Sequence, residues 1–234
     1  MPVPLYTLLL SRFMLGIPIP FRALLSLKHI TVKKYALVAG LFLAWAVLMI
    51  GSVAILGWLW PDTFGHLATT NGYLVHNLEK LIGTSVDTNA MNMPPTPLAM
   101  LPLGIFGALM AGLTVNAIFA MAEEIMWRGY LAQAFAGRPF CKKYVTIGVL
   151  WGLWHIPLIA LGYNYGTANA LPGSVLFIGF CVVMSLVLGF VVERTRSVWL
   201  AAVLHGTFNG FSQVMLLLVV GGSSLLASSA VGIV

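Results

Sequence analysis

Charge is what this sequence has least of. Of 234 residues only six are acidic and 12 basic, so 8% are charged, against about 25% in an average soluble domain. A water-soluble fold of this length could not cover its surface with so few charges. That excludes an ordinary cytosolic enzyme, and a chain this apolar is not disordered. Cysteine is nearly absent too. Cys141 and Cys181 alone give no disulfide scaffold, no CxxC redox pair and no metal knuckle. Neither HExxH nor GxSxG occurs, so zinc ligands would have to come from separate helices and a serine mechanism is disfavoured. No internal repeat is visible, whereas transporters are often built from paired halves with broken helices.

What is present is apolar: 60% of the residues are hydrophobic and the mean hydropathy is +0.97. Residues 35–61, 88–122, 144–192 and 197–234 carry no Asp, Glu, Lys or Arg. A bilayer core takes about 20 apolar residues as a helix, so each run is long enough to cross one. The run 144–192 accommodates two spans, divided at GYNYGTANALPG over Gly162–Gly173. The runs do not alternate, which disfavours a β-barrel. The fold class is therefore all-α, a polytopic membrane helix bundle. Spans are expected at 36–60, from about 100 to 122 and onward, and at 144–162, 173–192 and 197–220. The chain divides into an N-terminal interfacial or re-entrant segment over 1–34, a first span and loop over 35–96, a helix bundle over 97–220 and a short tail over 221–234. Residues 3–26 are apolar but interrupted by Arg12, Pro18, Pro20 and Arg22, and lack the basic start and cleavage site of a signal peptide.

Loop charges predict an orientation. Arg12, Arg22, Lys28, Lys33 and Lys34 precede the first span; Arg138, Lys142 and Lys143 fall in a later loop, Arg194 and Arg196 in another. The loops between them are acidic or uncharged. Basic residues in every second loop place those loops in the cytoplasm, in a cell inner membrane. The net charge of +6 then reflects topology and anionic lipid, and no nucleic-acid partner is implied. His29, His66 and His76 lie outside the spans and read as solvent-facing.

An ionisable group inside a span costs about 2.5–3.5 kcal/mol on insertion scales, so it is a functional hypothesis by default. Three groups stand out. In Glu123-Glu124-Ile125-Met126-Trp127-Arg128 the apolar helix continues to about residue 136, before Gly137-Arg138-Pro139. Glu124 and Arg128, at i,i+4, can pair, while Glu123 is turned about 100° away and can face the bundle. This motif also reads as a charged helix end at the interface. The second group is Trp151-Gly152-Leu153-Trp154-His155-Ile156-Pro157. Trp151 and His155 share a face, and Pro157 can bend the helix beyond them. Here the plainer alternative is a buried His bonded to a backbone carbonyl. The third is His205-Gly206-Thr207-Phe208-Asn209, with His205 and Asn209 at i,i+4; such a pair could also simply join helices. Gly148/Gly152 and Gly206/Gly210 form GxxxG spacings that permit close helix approach.

Depth connects the three groups. Glu123 is 14 residues from Gly137, His155 is 12 from Lys143 and His205 is 9 from Arg196. At 1.5 Å per residue all lie roughly 14–21 Å along their helices from the basic ends. One shared polar cavity opening toward the cytoplasm accounts for that agreement. A carboxylate and a His could activate water there, with His and Asn as oxyanion donors. Alternatively Glu123, His155 and His205 could hold zinc with an open position.

Glu-Glu-x-x-x-Arg, aromatic-x-x-x-His and His-x-x-x-Asn, in that order on successive apolar segments over about residues 100–215, resemble the three motifs of the CPBP family. These are the CAAX-protease and bacteriocin-processing membrane endopeptidases, also called the Abi family. Trp151 stands where Phe is usual. The resemblance implies an intramembrane CAAX-protease-like fold. It implies Glu123 as the residue activating water, His155 as its helper, His205 and Asn209 as the oxyanion pair, and Glu124 and Arg128 as support. It favours a metal-independent glutamate mechanism over zinc. It implies a peptide or a prenylated or otherwise lipidated protein as substrate. Two further readings follow: an inactive member that binds another membrane protein, as in bacteriocin immunity, and a transport path lined by the buried charges.

Overall fold

The computed structural model describes residues 3–16, 27, 30–88 and 93–222. Its helices are α1 (Val3–Leu15), α2 (Val32–Leu59), α3 (Asn71–Ile82), α4 (Leu101–Leu113), α5 (Val115–Glu124), α6 (Phe140–Ala160), α7 (Ala170–Thr195) and α8 (Val198–Leu218). Two short strands, β1 (Gly65–Leu67) and β2 (Val219–Gly221), accompany them. α2, α6, α7 and α8 are each long and apolar enough to cross a membrane, and the bent pair α4–α5 supplies a fifth candidate span. The protein is an integral, multi-pass membrane protein with an all-α bundle.

α8 is the axis of that bundle, packed against α2, α4, α5 and α7. Glycines let the backbones meet. A Cβ on Gly206 would come 2.7 Å from the carbonyl carbon of Asn116, and one on Gly210 3.2 Å from Ala108 Cα. The Asn116 side chain then donates to the Gly206 carbonyl at 3.1 Å, tying α5 to α8 beside His205. The other GxxxG works the same way between α6 and α7: a Cβ on Gly148 would lie 2.5 Å from Val182 Cα, one on Gly152 2.7 Å from Ile178 Cα. Gly206→Ala must therefore push α8 off α5. We expect a loss of about 1–3 kcal/mol, the usual cost of overpacking, read by thermal unfolding in detergent. A variant as stable as wild type would show that the contact is loose.

Two departures from regular helix shape this bundle. The span expected from about residue 100 breaks at Thr114, where α4 and α5 meet at 55°. The Thr114 hydroxyl donates to the Met110 carbonyl at 2.7 Å, a back-bond of the kind that bends helices. No Pro marks the site, and Gly112 lies two residues before it. The helix beyond Glu124 is also not uniform: it widens into a π-helical stretch over Ile125–Leu131 and closes with Ala132–Ala134. Such wide turns frequently sit at functional sites.

The short α7–α8 connection is locally encoded. Arg196 adopts a left-handed conformation (φ 58°) and its N–H bonds the Val192 carbonyl at 2.7 Å; the Ser197 hydroxyl accepts the Leu200 N–H at 3.3 Å as the α8 N-cap. At this end Lys34 donates to the Thr195 carbonyl at 2.6 Å. Lys143 pairs with Glu193, to which the Tyr144 hydroxyl donates at 3.2 Å. Between α6 and α7, Tyr165 is fully buried against Gly173, and that burial is the main cause holding its phenol above the usual range.

The opposite end carries structure that the sequence did not announce. β1 and β2 pair antiparallel, with Gly65 opposite Gly221, and Asn77 of α3 donates to the Leu217 and Val219 carbonyls at 3.0 Å each. β1 and α3 thus cap the end of α8. His76 is exposed as expected, but His66 is half-buried with its ring edge-on to Tyr73 at 6.3 Å. In the N-terminal segment, Leu5 of α1 packs against a small cluster formed by Ala120, Met121, Ile125, Val198 and Ala202. Pro18, Pro20 and the tail from residue 223 lie outside the described residues.

Candidate active site

Glu123 and Glu124 are neighbours with different partners. Both are buried, at 7% and 0% exposure. Glu123 Oε2 accepts the indole N–H of Trp151 at 2.9 Å. Glu124 Oε1 accepts Arg128 Nη1–H at 3.0 Å, the i,i+4 pair the spacing predicts, and also lies 2.9 Å from His205 Nδ1. A carboxylate paired with a guanidinium is ionised and only accepts, so Nδ1 of His205 carries a proton. The pairing offsets only part of what the two buried ions lost from water, since Glu124 Oε2 and Arg128 Nε and Nη2 are buried without a hydrogen-bond partner.

His155 has its tautomer set by the main chain. Its Nδ1 lies 2.9 Å from the Trp151 carbonyl. A carbonyl can only accept, so Nδ1 is the donor and, in the neutral ring, Nε2 keeps the lone pair. The ring is wedged between Trp154 (4.4 Å) and Phe177 (4.7 Å), and Trp154 in turn packs on Trp127. The plainer reading, a His bonded to a backbone carbonyl, thus describes its Nδ1 contact.

Trp151 joins the motifs. Its ring lies 5.2 Å from His205 and 6.1 Å from His155, and the Arg128 guanidinium sits 4.4 Å over it. Residues from α5, the π-helical stretch after it, α6 and α8 thus form one connected cluster: Glu123, Glu124, Arg128, Trp151, His155 and His205. Asn209 is one turn further along α8 and exposed. An apolar cavity of about 370 Å³ opens elsewhere, between α2, α4 and α8. Its lining residues Val203 and Thr207 lie on the face of α8 opposite His205.

Sequence reasoning named Trp151 only as an aromatic and missed its donor role; a single buried indole N–H seeking an acceptor was the available signal. It also missed the Lys143–Glu193 pair, although these two charges bracket the uncharged run that forms the α6–α7 hairpin. As for zinc, no three His, Cys, Asp or Glu side chains among the described residues converge as a metal site.

Fold and site together define a multi-pass membrane protein whose spans enclose a carboxylate–imidazole cluster. Residues 101–211 match the family model described as type II CAAX prenyl endopeptidase Rce1-like. The chain is 28% identical over 95 residues to CAAX prenyl protease 2 of Methanococcus maripaludis, covering 38% of this chain. The match spans only 35% of that relative's length. No solved structure matches. Every motif described above falls within residues 101–211, which run from α4 into α8.

Proposed function

We propose that this protein is an intramembrane endopeptidase that hydrolyses a peptide bond in a prenylated or otherwise lipidated, membrane-attached peptide. The observation that carries the reading is the pair of committed contacts at the site. Glu123 has Oε2 held by the Trp151 indole, and His155, on the same turn of α6 as Trp151, has Nδ1 held by the Trp151 carbonyl. Glu123 takes a proton from a water molecule while His155 Nε2 orients it. The water oxygen attacks the peptide carbonyl. His205, through Nε2–H, and Asn209, through its amide N–H, stabilise the oxyanion. The intermediate collapses as Glu123 returns the proton to the leaving nitrogen, giving a new carboxylate and a new amine.

His205 already donates Nδ1–H to Glu124, so donation from Nε2 requires the doubly protonated ring. Glu124, held in turn by Arg128, lies against Nδ1 of that ring. Residues 97–220 form the catalytic unit in this reading. The loops bearing Arg138, Lys142, Lys143, Arg194 and Arg196 face the cytoplasm of an inner membrane, from which the substrate enters.

The mechanism uses no metal. The test is cleavage of a panel of prenylated and leader peptides by purified protein in nanodiscs, read by mass spectrometry with and without a strong chelator. Cleavage that persists with chelator is the expected result. Loss with chelator and recovery with zinc would replace the mechanism. A panel left uncleaved would favour a binding or immunity role.

A further inference from the structure

Trp151 contacts Glu123, Arg128, His155 and His205 at once. Its carbonyl and its ring could be supplied by other residues. Its indole N–H could not be supplied by a phenyl ring, and it is the one side-chain donor Trp possesses. That donor goes to Glu123 Oε2 at 2.9 Å, with Trp151 only 3% exposed. An N–H to a carboxylate is about twice as strong as a neutral hydrogen bond, and here no bulk water competes for it.

We propose that Trp151 is a positioning residue for the Glu123 carboxylate, a role that rests on the peptidase reading above. By holding Oε2, the indole fixes the plane of a flexible side chain. A near-attack geometry is thereby set before substrate arrives. Were Trp151 only packing material, a ring of the same shape without the N–H would serve equally.

Two replacements separate these roles in the full-length protein in nanodiscs. Trp151→Phe keeps an aromatic ring and removes the donor. A benzothienyl analogue of Trp, installed by stop-codon suppression, keeps the fused-ring outline and replaces the N–H with sulfur. Both are expected to lower kcat on a cleaved prenylated peptide about ten- to hundredfold, the usual worth of one hydrogen bond to a charged group, with KM unchanged. The analogue should unfold at the wild-type temperature. Wild-type kcat in the folded analogue would overturn the proposal.

A second readout needs no substrate. In protein labelled with ¹⁵N at the indole nitrogens, the Trp151 resonance, assigned by its loss in the analogue, should lie downfield. It should move upfield in Glu123→Gln, because a neutral amide is the weaker acceptor. A resonance that ignores Glu123→Gln would overturn the proposal. If wild-type protein cleaves no peptide, the peptidase reading falls, and the indole resonance still decides whether Trp151 holds Glu123.

Discussion

Glu123→Gln should lower peptide hydrolysis by about a thousandfold while leaving the fold intact. General-base catalysis by a positioned side chain contributes about 10²–10⁴-fold, and the substitution removes the base with almost no change in shape. The Gln carbonyl can still accept the Trp151 indole N–H, so the contact between α5 and α6 persists. KM should move little, because the lost interaction belongs to the transition state. The comparison must be made on protein shown to be folded by its thermal transition. Activity within tenfold of wild type would remove Glu123 from the mechanism and leave the charge beside it to be explained otherwise.

Arg128→Met should cost more stability than any other single change at the site, about 3–5 kcal/mol. Arg128 and Glu124 are both fully buried, with side-chain exposures of 0%. Removing the guanidinium strands a carboxylate in the bundle with only His205 Nδ1 as partner, and charge left uncompensated in a low-dielectric interior is the source of the penalty. The double variant Glu124→Gln/Arg128→Met should recover much of the loss, since it removes both charges at once. The non-additivity is the diagnostic quantity, measurable by reversible unfolding in mixed micelles. Strictly additive losses would show that the two ions do not depend on each other. The double variant should nevertheless be poorly active, because His205 loses the carboxylate that holds its Nδ1 proton.

The contrast between these variants shows what could be read before the fold was seen. Glu124 and Arg128 are on one helix, and the 3.6-residue repeat brings i and i+4 together whatever the surroundings. Their pairing was legible for that reason. The second acceptor role of Glu124, toward His205, joins residues 81 apart, and no local repeat encodes it. The same holds for Trp151 and Glu123, which are 28 apart on different helices. The GxxxG spacings announced close approach of α6 and α8 to some neighbour, but not which one. Thr114 announced nothing, because a Thr in an apolar run bends a helix only when its hydroxyl turns to the preceding carbonyl. β1 and β2 were hidden for a similar reason. Strands of three residues have too little periodicity to read, and their stability lies in pairing across most of the chain.

By itself, the sequence determined the medium and the class of fold. Long runs without charge can satisfy their backbone in a bilayer only as helices, given that they do not alternate. The sequence also determined which ionisable side chains would have to be justified inside the spans, since so few occur there. Only the tertiary structure decided how those side chains share their hydrogen bonds. It gave His205 a carboxylate, His155 a carbonyl and Glu123 an indole, and left Asn209 exposed at the next turn. The physical reason is that a hydrogen bond fixes a tautomer or a carboxylate plane only when both partners are in place. Here the partners arrive on α5, α6 and α8, whose register is set by glycine contacts between helices and not by any one stretch of chain.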